Sequence, residues 1–189
     1  MSFIVVGYYT EKYKQDAAEM MASCAAYGVP VYCEYVEDRG SWTLNTSYKP
    51  TFLLSCLERF NCDIVYVDVD ARFNNFPELF NKLTTDIAYY KGKVWEYGDE
   101  EILSGTVFLR NNKIVHKFVF NWRNACNNKS WEWDQRLVAE SVPEECTVDY
   151  LPIEYCAIFD SPMVNGKDIV IRHLQHSRIT RQSSPGMSR

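Results

Sequence analysis

The chain has 189 residues, 25 acidic side chains against 20 lysines and arginines, and a formal net charge of −5. Broad nucleic-acid binding requires a basic surface, so we expect no nucleic-acid partner. Hydrophobic residues make up 47% of the chain and aromatic residues 15%, which is enough for the core of one domain. We therefore expect a single folded domain over residues 1–178 and a flexible polar tail over residues 179–189.

The seven cysteines are scattered among apolar neighbours and form no C-x-x-C pair. This pattern is typical of buried thiols in a reducing compartment and not of a disulfide framework. The apolar run at the start of the chain has no basic segment before it and is too short for a signal peptide. No stretch approaches the length that crosses a bilayer. We expect a cytoplasmic protein without a transmembrane segment, of undetermined oligomeric state.

The first half of the chain alternates between predicted strands and helices. Apolar, β-branched runs predict strands, and apolar residues at helical spacing predict the helices between them. The predicted strands are Phe3–Tyr8, Val31–Val36 and Ile64–Val67, and the predicted helices are Glu11–Tyr27 and Ser47–Phe60. This β-α-β-α-β order predicts an α/β fold with a mostly parallel central sheet flanked by helices. Ligands of such sheets bind outside the carboxyl ends of the strands.

The second half is less regular. After a short helix near residues 76–80 and a strand over residues 86–90, Ile102–Arg110 is predicted to be a strand with a bend at Ser104-Gly105. A glycine inside a strand often marks close approach of a ligand or another backbone. Two helices, Lys113–Cys126 and Trp133–Ser141, and a last strand, Ile169–Arg172, complete the prediction.

Two aspartates, Asp68 and Asp70, end the buried strand of the first half. Side chains two apart on a strand point the same way, and two neighbouring carboxylates repel unless a cation lies between them. Mg²⁺ and Mn²⁺ prefer such oxygen ligands. The pair therefore predicts a divalent metal site at this edge of the sheet. The alternative is an Asp-rich turn whose carboxylates cap backbone N–H groups.

Five segments, in this order, resemble the motifs of the small GT-A-type glycosyltransferases, the nucleotide-diphospho-sugar transferases with an Asp-x-Asp motif. They are Tyr48–Leu53, Asp63–Asp70, Leu103–Leu109, Trp133–Gln135 and Ile171–His173. The resemblance covers most of the chain. It implies one GT-A-like catalytic domain with a Rossmann-like nucleotide-binding half and a short acceptor-side half. It further implies transfer of a sugar from a UDP- or GDP-linked donor to a glycan or other hydroxyl acceptor.

The resemblance also implies a bound Mn²⁺ or Mg²⁺ that stabilises the charge on the departing diphosphate as a Lewis acid. Asp70 is expected to be a direct metal ligand, and Asp68 to bind the ribose, the metal or both. His173 fits the third ligand of the family. His176 is an alternative, because the H-x-x-H spacing leaves the two histidines equivalent. Either could instead be a surface or half-buried histidine without a ligand.

Several polar residues are expected on the donor side. Lys49, and Arg72 or Arg178, are candidates to hold the diphosphate oxygens. A lysine at a helix start is also commonly only solvated. Ser104 and Gly105 are expected to place their backbone beside the transferred sugar.

The family usually holds the nucleobase after the first strand. Tyr8, Tyr9 and Thr10 occupy that position, and an aromatic ring there can stack on a base. Core packing is the alternative explanation for one of the two tyrosines.

Asp134 is the candidate catalytic residue. If the reaction inverts the anomeric centre, a carboxylate must take the proton of the acceptor hydroxyl, and if it retains the centre, Asp134 would hold the donor sugar. Trp131 and Trp133 stand beside it and would line the acceptor or the donor sugar. The competing explanation is that Asp134 caps the helix that follows.

Three other functions are alternatives. An aspartate-nucleophile phosphotransferase is disfavoured, because its acid pair follows the first strand and not the third. A nucleotidyltransferase shares the metal and the sheet edge, but Gly7–Thr10 is not its Gly-rich basic loop. A non-catalytic nucleotide- or sugar-binding module of the same fold is the remaining alternative.

Overall fold

A computed structural model describes residues 3–178, so the predicted tail over residues 179–189 lies outside the described residues. The nine strands are β1 (Phe3–Tyr9), β2 (Val31–Tyr35), β3 (Asp63–Val67), β4 (Ala71–Phe73), β5 (Ile87–Lys93), β6 (Glu100–Leu109), β7 (Val148–Tyr150), β8 (Ala157–Ile158) and β9 (Ile171–His173). The α-helices are α1 (Lys14–Ala26), α2 (Trp42–Thr46), α3 (Lys49–Arg59), α4 (Lys113–Asn128) and α5 (Val138–Ser141). Short 3₁₀ turns include Glu11–Tyr13, Glu78–Asn81, Asp134–Leu137, Ile153–Tyr155 and Pro162–Val164.

Six strands form the central sheet in the order β2-β1-β3-β6-β5-β7. The β1–β2, β1–β3 and β5–β7 pairs are parallel, whereas β6 runs antiparallel to both β3 and β5. Five of the six strands therefore point the same way. The predicted α/β class with a mostly parallel sheet flanked by helices is confirmed.

Helices cover both faces of this sheet because each has one apolar stripe. On one face, α3 buries Phe52 and Leu53 against Phe118 and Trp122 of α4. On the other face, α1 buries an apolar stripe that includes Met20. The amide N–H of Val115 donates to the Oδ1 atom of Asn112, which caps the start of α4.

The bend predicted in β6 is a real irregularity of the sheet. Tyr89 of β5 lies opposite Val107, but the next residue, Tyr90, lies opposite Leu103. The three residues Ser104–Thr106 therefore have no partner on β5, as in a β-bulge. Such bulges redirect side chains, and this one lies beside the Asp-x-Asp segment.

Two predictions for the second half need correction. The predicted helix Trp133–Ser141 is a 3₁₀ turn followed by the single-turn helix α5. The predicted last strand is β9, which belongs to a separate three-stranded sheet of order β4-β9-β8 and not to the central sheet. Its pairing with β4 places Ala71 opposite His173.

No helix within residues 3–178 is long and apolar enough to cross a membrane. All seven cysteines are free thiols. Burial raises the pKa of the Cys24 thiol to about 12, which is typical of a thiol that serves as a small apolar core residue.

Candidate active site

The Asp-x-Asp segment follows β3 at the edge where the parallel strands end. The Asp68 amide donates to the Gly105 carbonyl over 2.8 Å, and one Asp68 carboxylate oxygen accepts from the Tyr66 hydroxyl over 2.7 Å. Asp68, Asp70 and His173 each offer one ligand atom, and these three atoms lie within 4.8 Å of one another. The structure therefore brings both aspartates together with a histidine from more than a hundred residues later in the chain.

Two buried polar atoms at this cluster have no hydrogen-bond partner. Among residues 3–178, the buried side-chain atoms without a partner are Ser47 Oγ, Asp70 Oδ1 and His173 Nδ1. The last two are 3.7 Å apart, too far for a hydrogen bond. Buried polar atoms without partners are costly, so such a pair needs an explanation. A divalent cation bound between them would provide it.

The other polar atom of each of these two side chains is held in place. The Asp70 Oδ2 atom accepts from the amide of His176 over 3.2 Å. The His173 Nε2 atom lies 2.9 Å from the Thr106 hydroxyl. Metal-binding histidines and carboxylates are usually oriented by a hydrogen bond to their second polar atom. The residues present therefore fit a divalent metal.

The charged groups of the cluster shift the pKa values of one another. Burial raises the pKa of the Asp68 carboxyl, with Lys49 acting against this shift and Asp70 reinforcing it. Burial also disfavours a charged His173, but Cys156 and Asp70 outweigh it and raise the pKa of His173 to about 10. The same histidine holds the pKa of Asp70 below its usual range despite burial. In the metal-free protein, protonated His173 therefore supplies a positive charge beside the two acids.

Gly105 leaves room for this cluster. A Cβ atom at this position would lie 3.0 Å from the Cε1 atom of His173 and 3.1 Å from a carboxylate oxygen of Asp68. Both distances are shorter than ordinary van der Waals contact. The backbone of β6 approaches the acids closely because residue 105 has no side chain.

His176 contacts a different residue. Its Nδ1 atom lies 2.6 Å from a carboxylate oxygen of Asp16 on α1, and only its backbone amide contacts Asp70. His173 and not His176 therefore belongs to the cluster with ligand geometry. No sequence motif around Asp16 predicts this contact with His176.

Lys49 is buried, with 2% of its surface exposed, so the alternative explanation of a merely solvated lysine is wrong. Its ammonium group lies 2.9 Å from Asp134 and 3.5 Å from Asp68, and donates to the hydroxyl and carbonyl oxygens of Ser104. Burial lowers the pKa of Lys49, but Asp134 and Asp68 outweigh this and raise it. The Lys49 side chain therefore connects α3 to the segment after β3, to β6 and to the 3₁₀ turn that begins at Asp134.

Asp134 does not cap the helix that follows it, so that explanation is also wrong. No side-chain hydrogen bond caps the 3₁₀ turn Asp134–Leu137. The carboxylate is 3% exposed, and its Oδ2 atom accepts from the Ser104 hydroxyl over 3.0 Å as well as from Lys49. The Asp134 carbonyl accepts from the Trp122 indole over 2.9 Å. Contacts with Lys49, Ser104 and Trp122 therefore fix the position of Asp134.

Of the three candidate residues at the end of β1, Tyr8 is packed as a core side chain. Its ring contacts the rings of Tyr48 and Phe52, and its hydroxyl donates to the carbonyl of Asn45 over 2.8 Å. These contacts favour the explanation that Tyr8 packs in the core over the explanation that its ring stacks on a base. Tyr9 and Thr10 line the same cleft as the acids.

The two candidate arginines are placed differently. Arg72 forms ion pairs with Asp16 and Glu19 of α1, and the cleft lining does not include it. Arg178 does line the cleft, where it pairs with Asp160 over 3.1 Å. Arg178 is therefore the better placed of the two for an anionic ligand.

One open cleft of about 620 Å³ joins these features. The predicted site residues that line it are Tyr8, Tyr9, Thr10, Lys49, Asp68, Asp70, Ser104, Asp134 and Arg178. Among the lining residues that sequence reasoning missed are Tyr66 and Trp42. Tyr66 lies near the end of β3, two positions before Asp68, and this spacing is the signal that would have found it. Trp42 begins the short helix α2, for which no periodic pattern exists.

No protein-family model and no curated protein matches the chain. Solved structures do match. A glycosyltransferase involved in glycosylation of the major capsid of PBCV-1 has a TM-score of 0.71 at 16% identity, covering 96% of this chain and 97% of that one. The galactosyltransferase LgtC, solved in complex with donor and acceptor sugar analogs, has a TM-score of 0.59 at 9% identity, with 97% of both chains covered.

The glycosyltransferase GlyE of Streptococcus pneumoniae TIGR4 has a TM-score of 0.64 at 12% identity, with 90% of this chain and 53% of that chain covered. The chain thus spans about half of GlyE, but nearly all of the PBCV-1 enzyme and of LgtC. The chain has the GT-A glycosyltransferase fold, which confirms the resemblance predicted from its motifs at the level of the fold.

Proposed function

We propose that the protein is a metal-dependent glycosyltransferase. It would transfer a sugar from a UDP- or GDP-linked donor to a hydroxyl group of a glycan acceptor. The observation that carries the proposal is the pair of buried, unpartnered atoms, Asp70 Oδ1 and His173 Nδ1, beside Asp68 in a GT-A fold. In a binding module that holds no cation, these two buried atoms would stay without partners, which costs free energy of folding.

Three side chains are proposed to hold Mn²⁺ or Mg²⁺. Asp70 and His173 would bind it through their unpartnered atoms, with Thr106 fixing the ring of His173. Asp68 would contribute a carboxylate oxygen to the metal, to the ribose or to both. When bound, the ion supplies Lewis-acid stabilisation of the charge that develops on the diphosphate as it leaves. The ring of His173 must release its Nδ1 proton to bind it.

The rest of the donor is proposed to lie along the same cleft. Tyr9 and Thr10 would contact the nucleoside at the end of β1. Arg178 would exchange its exposed ion pair with Asp160 for the diphosphate, an exchange that costs little because exposed pairs are weak. The backbone at Ser104 would face the transferred sugar.

Asp134 and Lys49 are proposed to position the donor sugar. The Asp134 Oδ2 atom is held by the Lys49 ammonium and the Ser104 hydroxyl, so turning it toward an incoming acceptor would break both contacts. This geometry favours the role of holding a sugar hydroxyl over that of a general base. Of the two stereochemical courses, it favours retention at the anomeric centre.

The test has two stages. The protein is first incubated with Mn²⁺ and a panel of UDP- and GDP-sugars, and the release of free nucleotide diphosphate is measured. We expect slow hydrolysis of one donor. Calorimetry then measures binding of the free diphosphates UDP and GDP, with and without Mn²⁺.

Asp70→Asn keeps the size of the side chain and removes its charge. Since loss of an orienting contact alone weakens metal binding about 10- to 100-fold, loss of a ligand should weaken Mn²⁺-dependent binding by about 100-fold or more. Asp149→Asn makes the same change at an exposed position on β7 and should bind as the wild type does. Unchanged binding by Asp70→Asn would contradict the metal site. Tight binding without turnover of any donor would favour the binding module.

A further inference from the structure

Two tryptophan rings meet at the cleft. Trp42 begins α2 and Trp133 immediately precedes Asp134, and both line the cleft that contains Lys49 and Asp68. Their ring centroids are 5.4 Å apart at an interplanar angle of 83°, an edge-to-face contact. Trp133 is 39% exposed, an unusual exposure for so large a side chain held in an aromatic pair.

Trp133 is rigidly supported from within the protein. The next residue, Asp134, is held by Lys49 and the Ser104 hydroxyl, and its carbonyl accepts from the Trp122 indole. Outside the cleft, the guanidinium of Arg136 lies 4.9 Å from the centre of the Trp133 ring. Arg136 and the anchored backbone at Asp134 therefore hold the exposed ring in place.

Trp42 is supported by an independent set of contacts. The hydroxyl of Ser41 caps α2 by accepting from the Leu44 amide, and the side chain of Asn45 bonds to Asp38 and to the amide of Arg39. The loop is tied to β1 because Tyr8 donates to the Asn45 carbonyl. Two separate segments thus present two ordered indole rings to one cleft.

We infer that Trp42 and Trp133 form the acceptor subsite and bind a sugar ring of the acceptor through its C–H face. The inference deepens the proposed function and rests on it. The faces of pyranose rings carry apolar C–H groups, which pack on aromatic rings, while the hydroxyls at the ring edge remain solvated. Pre-ordered rings lose little entropy when the sugar binds.

The position of the pair favours the acceptor over the donor. The diphosphate would be fixed at Asp68 and Asp70, and the transferred sugar beside Asp134 and Ser104. Trp133 is one residue before Asp134 and far more exposed, so the pair lies on the solvent side of the reacting sugar. A hydroxyl group that enters from solvent meets these rings before it reaches the donor.

The chain contains a matched control. Trp131 is two positions before Trp133, is 76% exposed and is not part of the cleft lining. Trp42→Ala, Trp133→Ala and Trp131→Ala can therefore be compared with each other. Trp133→Phe keeps an aromatic ring and tests for rescue. Two variants on different segments keep the test decisive if one of them fails to fold.

The first measurement needs no turnover. Saturation-transfer difference NMR, with Mn²⁺ and UDP or GDP present, uses a panel of methyl α- and β-glycosides as probes. We expect C–H signals from at least one glycoside, their loss in Trp42→Ala and Trp133→Ala, and their retention in Trp131→Ala. Equal loss in all three variants, or none in the first two, would overturn the inference.

The second measurement separates acceptor from donor. With the donor found by the hydrolysis screen, we expect the KM for the glycoside acceptor to rise about tenfold or more in Trp133→Ala, as for loss of one stacking contact. Mn²⁺-dependent nucleotide binding should change much less than this KM, and Trp133→Phe should restore most of the acceptor affinity. A parallel loss of nucleotide binding would place the rings on the donor side and overturn the inference. If no donor is turned over while the glycosides still bind, the proposed function fails separately.

Discussion

The inner wall of the cleft and its outer rim are built in different ways. The inner wall consists of charged and polar side chains around the buried Lys49. The ammonium group of Lys49 contacts Asp68, Asp134 and Ser104 at once. The rim consists of two partly exposed indole rings, at Trp42 and Trp133, which contact each other edge to face. A change to the wall disturbs several charges at once, whereas a change to the rim removes one apolar surface. We therefore expect the wall to control stability and metal binding, and the rim to control the choice of acceptor.

The largest effect is expected from Lys49→Met. This change leaves the buried Asp134 carboxylate without its cation, and breaking a buried ion pair in this way costs about 3–5 kcal/mol. Urea denaturation of the metal-free protein measures the free energy of unfolding. Lys129→Met removes an exposed pair with Glu140 and should cost less than about 1 kcal/mol. Similar losses in both variants would show that the wall is no more sensitive than the surface.

The wall should also make the metal-free protein sensitive to pH. The folded pKa of His173, about 10, lies above its value of 6.5 in an unfolded chain, so the protonated ring stabilises the fold. This contribution is complete below pH 6.5 and is lost as the pH rises through about 10. After metal removal with EDTA, the free energy of unfolding should fall by at most about 1.4 kcal/mol per pH unit above neutrality.

The control for this prediction is His173→Asn, which should flatten that slope. In the presence of Mn²⁺ the slope should reverse, because proton release favours metal binding at higher pH. A wild-type slope unchanged by His173→Asn would assign the pH dependence to another group.

A smaller effect is expected from Gly105→Ala. Its Cβ would press on His173 and Asp68, and overpacking of this kind costs about 1–3 kcal/mol. Calorimetry should show Mn²⁺ binding weakened by about tenfold or more, as for other disturbed metal ligands. Gly98→Ala is the matched control, because there the nearest contact of a Cβ is an ordinary 3.5 Å. Equal Mn²⁺ affinities in the two variants would contradict the close approach at residue 105.

The smallest effect is expected from Asp16→Asn, because Asp16 reaches the inner wall only through His176. Asp16 holds the ring of His176, whose amide in turn orients Asp70. Loss of such an orienting contact should lower Mn²⁺ affinity by about tenfold, with nucleotide hydrolysis recovered at high Mn²⁺. Glu19→Gln removes a neighbouring charge that contacts Arg72 but not His176, and should leave the affinity unchanged. A loss that excess Mn²⁺ does not recover would contradict a positioning role.

Local patterns predicted the first half of the fold because its signals are short-range. Apolar periodicity identified β1, α1, β2, α3 and β3 within a few residues of their observed bounds. The strand β9 was predicted, but the separate β4-β9-β8 sheet was missed, because β4 and β8 have only three and two residues and carry no periodic signal. The reversed direction of β6 was missed too, since strand direction depends on long-range pairing.

The same contrast holds for the candidate site. The acids Asp68 and Asp70 and the late His173 were predicted from motif order, and the structure brings them together. The burial of Lys49 was not predicted, because its partner Ser104 lies 55 positions away and nothing local marks the contact. Contacts of this kind depend on how the elements pack, which a single sequence does not display.

The strand pairing between β4 and β9 has a consequence for how the protein matures. Ala71 lies opposite His173, so the residue after Asp70 is the cross-strand neighbour of the proposed histidine ligand. In the proposed metal site, β9 must therefore pair with β4 before His173 can complete the ligand set. A polypeptide that stops before Ile171 would carry the acid pair without its imidazole, and we expect it to bind Mn²⁺ more weakly than the longer chain does.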